Sequence, residues 1–139
     1  MIFVDTSFFY ALFAKADEGH GRAFQAFAEF RGRNLPSLLL TTDAVIMETI
    51  TLARRRSNHA QAVFVGERLH SERIARIHHS TAEEHRAAFE YFSKYSDKEY
   101  SMTDCLSFVV MEKLGIKEAL TFDGDFAHRF VVRPSPPDR

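Results

Sequence analysis

The feature that most limits what this chain can fold into is its alternation of very short apolar runs with longer helical stretches. Ile2-Phe3-Val4, Leu38-Leu39-Leu40 and Ala119-Leu120 are brief runs bounded by polar residues or helix breakers. The segments between them place apolar residues every three or four positions, the spacing of an amphipathic helix. Short apolar strands separated by helices imply βαβ units around a parallel sheet. With no internal repeat or linker, the chain reads as one α/β domain over 1–133, with a proline-rich tail at 134–139.

Six elements carry this reading most clearly, and weaker ones complete it. Ile2–Val4 is the first strand, ending at Asp5, with Thr6 and Ser7 offered as N-caps for a helix over 8–14. A helix over 22–30 carries Ala23, Phe24, Phe27 and Ala28 on one stripe, and Pro36 breaks the chain before a second strand at 38–42. Helices follow over Asp43–Arg56 and His59–His70, and residues 74–78 alternate weakly as a third strand. Thr81 and Glu84 have capping-box spacing, ahead of a helix whose buried stripe is expected at Ala88, Phe89 and Phe92. A helix over 101–114 stops at Gly115, and strands are expected at 119–122 and 130–132. Pro134, Pro136 and Pro137 are expected to end the ordered structure.

Composition removes several function classes. Eighteen Lys and Arg against 19 Asp and Glu give a net charge of −1, so the chain cannot coat nucleic acid by bulk charge; it must use a local site. The lone Cys105 has no partner for a disulfide or a zinc site, which implies a reducing compartment. No basic leader precedes Asp5, and no apolar run approaches the ~20 residues that span a bilayer. A cytoplasmic protein without a membrane partner is the expectation. The 14 Phe residues read mainly as core, and the seven His residues, none in His-x3-His spacing, as surface or polar-core residues.

Acids that interrupt apolar segments are the informative ones, because an unpaired buried charge costs several kcal/mol. Asp5 ends the first strand, where open α/β sheets bind ligands, although it also sits where it can cap the next helix. Glu48 lies in a helix apolar nearly all round, flanked on its face by Ala44, Val45, Thr51 and Leu52, so it is favoured for function over a snorkelling edge position. Asp104 opens a largely apolar helix and has capping-box spacing from Ser101. Asp123 follows the fourth strand in an Asp-Gly turn, with Asp125 two residues on.

Should Asp5, Glu48, Asp104 and Asp123 converge, each pair ~6 Å apart repels by roughly 3 kcal/mol at an effective dielectric near 20. That repulsion requires protonation or a bound cation. An all-oxygen donor set favours a hard ion, Mg²⁺ or Mn²⁺, and the chemistry such ions support is hydrolysis of a phosphodiester. Setting those four acids aside turns the net charge of −1 into +3 for the rest of the chain. Near-neutrality thus hides a segregation of charge.

The segments Val4-Asp5-Thr6-Ser7, Asp17-x-x-His20-x-x-Ala23, Thr42-x5-Glu48, Thr103-Asp104 and Leu120-Thr-Phe-Asp-Gly-Asp-Phe126 occur in the order and spacing of PIN-domain ribonucleases. Among these the chain most resembles the small VapC-type toxins of toxin–antitoxin pairs, over residues 2–132. The resemblance implies a four- to five-stranded parallel sheet sandwiched between helices, with the acids gathered at one end. It implies Asp5 and Asp104 as the most direct metal ligands, Glu48 and Asp123 completing the set, and Asp125 as a second-rank candidate. Ser7 and Thr103 would hydrogen-bond the ligating carboxylates. It also implies an RNA substrate, a homodimer, and an antitoxin that covers the pocket.

Two other classes compete. An aspartate-based phosphohydrolase would use Asp5 as nucleophile, but such enzymes usually carry a second Asp where this chain has Ser7. A non-catalytic RNA- or protein-binding module has no need of all four acids. Arg54-Arg55-Arg56 suits the end of its helix electrostatically and is also placed to hold RNA phosphates. No phosphate-binding glycine loop or nucleophile elbow occurs.

Overall fold

Successive side chains of a strand point to opposite faces of its sheet. In β1 (Ile2–Val4) both Phe3 and Val4 are buried, and in β2 (Leu39–Thr42) so are Leu39 and Leu40. A sheet whose central strands are dry on both faces must be covered on both, the condition a parallel sheet requires. The computed structural model describes residues 1–135 and contains that sheet. Five strands lie in the order β3 (Arg76–His78), β2, β1, β4 (Glu118–Leu120) and β5 (Val131–Arg133), every adjacent pair parallel. The chain steps outward from β1 to β3, then returns to add β4 on the other side of β1. The direction of strand addition therefore reverses between β1 and β4.

Seven α-helices join the strands among the described residues: α1 (Thr6–Phe13), α2 (His20–Ala28), α3 (Leu35–Leu38), α4 (Asp43–Arg56), α5 (His59–His70), α6 (Ala82–Lys94) and α7 (Met102–Leu114). Their starts are chemically marked. Thr42 caps α4 through the Val45 amide and Asn58 caps α5 through the Gln61 amide, while Thr81–Glu84 and Ser101–Asp104 form complete capping boxes. Gly115 ends α7 at φ 68°, a left-handed conformation that favours glycine. No helix among the described residues is long and apolar enough to cross a membrane.

Strand ends differ from the sequence expectations by one or two residues. Pro36 sits inside the first turn of the four-residue α3 rather than marking a plain break, a position where its missing N–H costs nothing. Thr6 and Ser7 are not caps: α1 begins at Thr6, with Asp5 in the N-cap position. Positions 136–139, most of the expected tail, lie outside the described residues.

The buried stripe of α6 is also not the expected one. Phe89 and Phe92 are exposed, as is Phe24 on α2, and the inward positions of α6 run through Glu84 and Ala88 to the half-buried Tyr91 and the Tyr95 that follows the helix. An acid can lie on that stripe because Glu84 accepts hydrogen bonds from His78 Nε2 at 2.9 Å and from the Thr81 amide at 2.9 Å, with Lys113 Nζ at 3.4 Å. These partners hold its carboxyl down at about 2, against the cost of burial. Tyr91 and Tyr100 then pack on Phe108, which meets Phe126 edge-on at 4.9 Å. Phe3, Phe8, Phe9, Phe30, Phe108 and Phe126 thus all form core, and the exposed Phe side chains are surplus to it.

Replacing Glu84 by Gln should lower the unfolding free energy at neutral pH by about 3 kcal/mol, the value of moving a carboxyl from 4.5 to about 2. A group whose folded pKa is depressed stabilises only while ionised. The gap between wild type and variant in urea titrations should thus shrink as pH falls from about 4.5 towards 2.

Candidate active site

Where strand addition reverses, the loops leaving adjacent strands diverge and a cleft opens at their carboxyl ends. Here those loops leave β1 and β4, and they carry Asp5 and Asp123. The Asp5 amide continues the ladder by donating to Leu120 O at 3.0 Å, which fixes the backbone beneath the site. The cleft is a cavity of about 790 Å³ lined by Asp5, Glu48, Asp104 and Asp123, among others. All four acids read from the sequence therefore reach one cavity, from β1, α4, α7 and the loop after β4. Asp125 stands close to two of them without being part of the lining: single oxygens of Asp104, Asp123 and Asp125 lie within 4.8 Å of one another.

Asp5 is held by side chains from both ends of the chain. Its Oδ2 accepts from Thr121 Oγ1 at 2.9 Å and from Ser7 Oγ at 3.0 Å. Each hydroxyl in turn accepts a backbone N–H, Ser7 from Phe122 and Thr121 from Asp123, both at 2.9 Å. The two hydroxyls also stand 3.1 Å from each other, so Ser7, Thr121 and Asp5 form one connected hydrogen-bond network. The carboxylate does no capping of α1. Ser7 thus fulfils the expectation made for it, whereas Thr103 makes no hydrogen bond to an acid among the described residues; Thr121 takes that part. Its signal in the sequence was only its place immediately after the apolar end of β4.

The other acids serve the local backbone as well as the cavity. Asp104 Oδ2 accepts the Ser101 amide at 3.0 Å, and Asp123 Oδ1 accepts the Asp125 amide at 2.9 Å at the start of a 3-10 turn (Gly124–His128). Asp104 thus completes the expected capping box and Asp123 the expected turn, and both also line the cavity. Glu48 is half-buried and lines the cavity beside Leu52, while its neighbour Met47 points outward. Of the arginine run, only Arg56 reaches the cavity, its guanidinium 5.0 Å from the centre of the Tyr10 ring. Arg22 also lines it, 5.5 Å from the Phe122 ring centre, and helical patterning offered no sign of that.

Burial raises the Asp5 carboxyl to about 6 despite its hydroxyl partners, with Asp123 adding repulsion. Asp104 is raised to about 7, again by burial first and by Asp5 and Asp123 next. Asp123 is raised by burial, then by Asp125 and Glu48. A hard cation fits this donor set, because it reverses the sign of the local field that the carboxyls meet. One further atom fits it: Thr6 Oγ1, on the cavity wall, is buried without a hydrogen-bond partner among the described residues.

A family model described as PIN domain matches residues 2–129. Two curated relatives, both called 23S rRNA-specific endonuclease VapC20 and both from Mycobacterium tuberculosis (strains CDC 1551 / Oshkosh and H37Rv), are 38% identical over 136 residues, covering 98% of this chain and 99% of theirs. A crystal structure of M. tuberculosis VapC20, described as a Sarcin-Ricin loop cleaving toxin, superposes with a TM-score of 0.83 at 38% identity, covering 92% of this chain and 94% of that one.

The raised carboxyls make a stability prediction. A carboxyl that keeps its proton longer folded than unfolded destabilises the fold as pH rises, here from about 4 until about 7. The Asp5 shift alone corresponds to about 3 kcal/mol. Melting temperature in EDTA should fall across that window, Asp5→Asn or Asp104→Asn should flatten the fall, and Mg²⁺ or Mn²⁺ should reverse it in the wild type alone. A metal-free melting temperature that stays level between those pH values contradicts this account.

Proposed function

The chain belongs to the PIN domain family, and on that premise we propose that it is a metal-dependent endoribonuclease, the toxin of a toxin–antitoxin pair. The observation that carries the reading is the convergence of acids remote in sequence on one cavity at the carboxyl ends of β1 and β4. The relatives' name favours it over a non-catalytic binder or an Asp5-based phosphohydrolase. Their near full-length similarity supports 23S ribosomal RNA as substrate class, with a sarcin–ricin-type hairpin as the cleaved element.

In this reading Asp5 and Asp104 are the foremost metal ligands, Glu48 and Asp123 complete the catalytic set, and Asp125 supports them. A bound Mg²⁺ or Mn²⁺ supplies an activated water and a counter-charge for the phosphodiester oxygens. The chain's own part is to hold the donors still. Ser7 and Thr121 orient Asp5, the Ser101 amide orients Asp104, and the Asp125 amide orients Asp123. Burial of the carboxyls keeps the field of each strong, so a cation and a phosphodiester are bound where their charges count most.

Residues 1–133 form the nuclease unit, with 134–139 appended, and the protein works in the cytoplasm, where ribosomal RNA lies. A homodimer is supported by the exposed Met47, Phe89, Phe92 and Met102 on α4, α6 and α7, apolar area that a monomer gains nothing by presenting. A cognate antitoxin covers the acid cavity.

Expression of the wild type should yield one or two sharp new 5′ ends in total RNA, absent with Asp5→Asn or Asp104→Asn, each of which should reduce cleavage by roughly a hundredfold or more. Equal cutting of purified RNA in EDTA and in Mg²⁺ would refute the assignment.

A further inference from the structure

A second cavity, of about 660 Å³, adjoins the acid cavity between α1, α4 and α5. The two share three wall residues, Tyr10, Asp17 and Arg56. Arg56 therefore stands at the junction, its guanidinium propped on the Tyr10 ring at 5.0 Å and engaged in no ion pair among the described residues. Asp17 at the same junction has its Oδ2 turned to the Gly19 amide, 2.9 Å away. Arg54 and Arg55, on the same helical turn, line neither cavity.

The lining of the second cavity differs in kind from that of the first. Phe13 and Phe64 meet edge-to-face at 6.4 Å on its wall, with Ala53 and Val65 beside them. Gln61 supplies an amide at the same wall, its Nε2 donating only weakly, at 3.4 Å, to Phe13 O. An aromatic and aliphatic wall with one side-chain amide, bordered by Lys15, Thr49 and Ser57, suits a planar heterocycle that carries donors and acceptors on its edge. A fixed cation at the mouth suits a phosphate. A chain that alternates the two, and whose scissile link lies among the acids next door, is an RNA strand with an unstacked base.

We propose that this second cavity is a nucleotide subsite. It takes the unpaired base adjoining the scissile phosphodiester, and Arg56 holds the phosphate that leads from one cavity into the other. The inference rests on the endoribonuclease reading and deepens it, by stating which way the strand leaves the acids. Arg56 is here a positioning residue, distinguished from its neighbours in the run by its place between the cavities rather than by its charge.

The test uses an Asp5→Asn background, which holds RNA uncut, and a synthetic sarcin–ricin hairpin as probe, with fluorescence anisotropy as readout. Arg56→Ala should weaken binding roughly tenfold and reduce the slope of log affinity against log salt by about one, whereas Arg55→Ala, which removes the same charge, should change affinity by about twofold at most. The hairpin is then made abasic at each loop position in turn. One position should cost affinity in the Asp5→Asn protein, and that cost should vanish when Phe64 or Gln61 is also replaced by Ala, with melting temperatures confirming that each variant folds. Equal losses from Arg55 and Arg56, an abasic cost untouched by the cavity substitutions, or no binding of the hairpin overturns the subsite. RNA affinity indifferent to all these changes leaves the cavity to a protein segment instead. Failure of the enzymatic reading shows separately, as wild-type protein that cuts no RNA with Mg²⁺ or Mn²⁺.

Discussion

Crowding of like charge at the point where strand order reverses is the constraint on which the rest of this molecule depends. Three of the acids are pushed above their ordinary range by burial and by one another. A fold gains nothing for its own stability from such an arrangement, so the structure around it is devoted to holding it. Hydroxyls fix Asp5 and main-chain amides fix Asp104 and Asp123, all of them attached to the ends of strands or the starts of helices. The deep core, with Phe3, Phe108 and Phe126 packed together, gives these loops a close-packed base.

Contrast with Glu84 makes the point. It is a buried acid as well, yet His78, Lys113 and the Thr81 amide satisfy it and its carboxyl falls to about 2. One buried carboxylate is paired within the protein and stabilises it. The others lack a cation of their own and leave room for one. Direction of the shift therefore separates Glu84 from Asp5, Asp104 and Asp123 more sharply than burial does.

Much of this was legible in the amino-acid order, because the signals were local. Apolar runs marked the strands, capping residues marked α6 and α7, and acids placed against the apolar pattern marked Asp5, Glu48, Asp104 and Asp123. What escaped was whatever depends on distance across the fold. Thr121 meets Asp5 only because β4 lies beside β1. Arg22 and Arg56 are ordinary helix arginines until Phe122 and Tyr10 turn them toward the cavity. The stripe of α6 was misjudged since an acid with three partners behaves as a core residue, and no local pattern discloses partners. Asp104 completes the capping box and Asp123 the turn that their local spacing implied, and both also line the cavity.

The strand order has a temporal side. β1 leaves the ribosome first, but its neighbour β4 begins only at Glu118, and Thr121 and Asp123 follow it. Until that last stretch emerges, Asp5 lacks one of its two hydroxyl donors and the cavity lacks a wall. Loop closure between ends this far apart in the chain is also the entropically slow step in assembling such a sheet. A nascent chain that has not yet paired β4 with β1 therefore lacks a complete acid cavity.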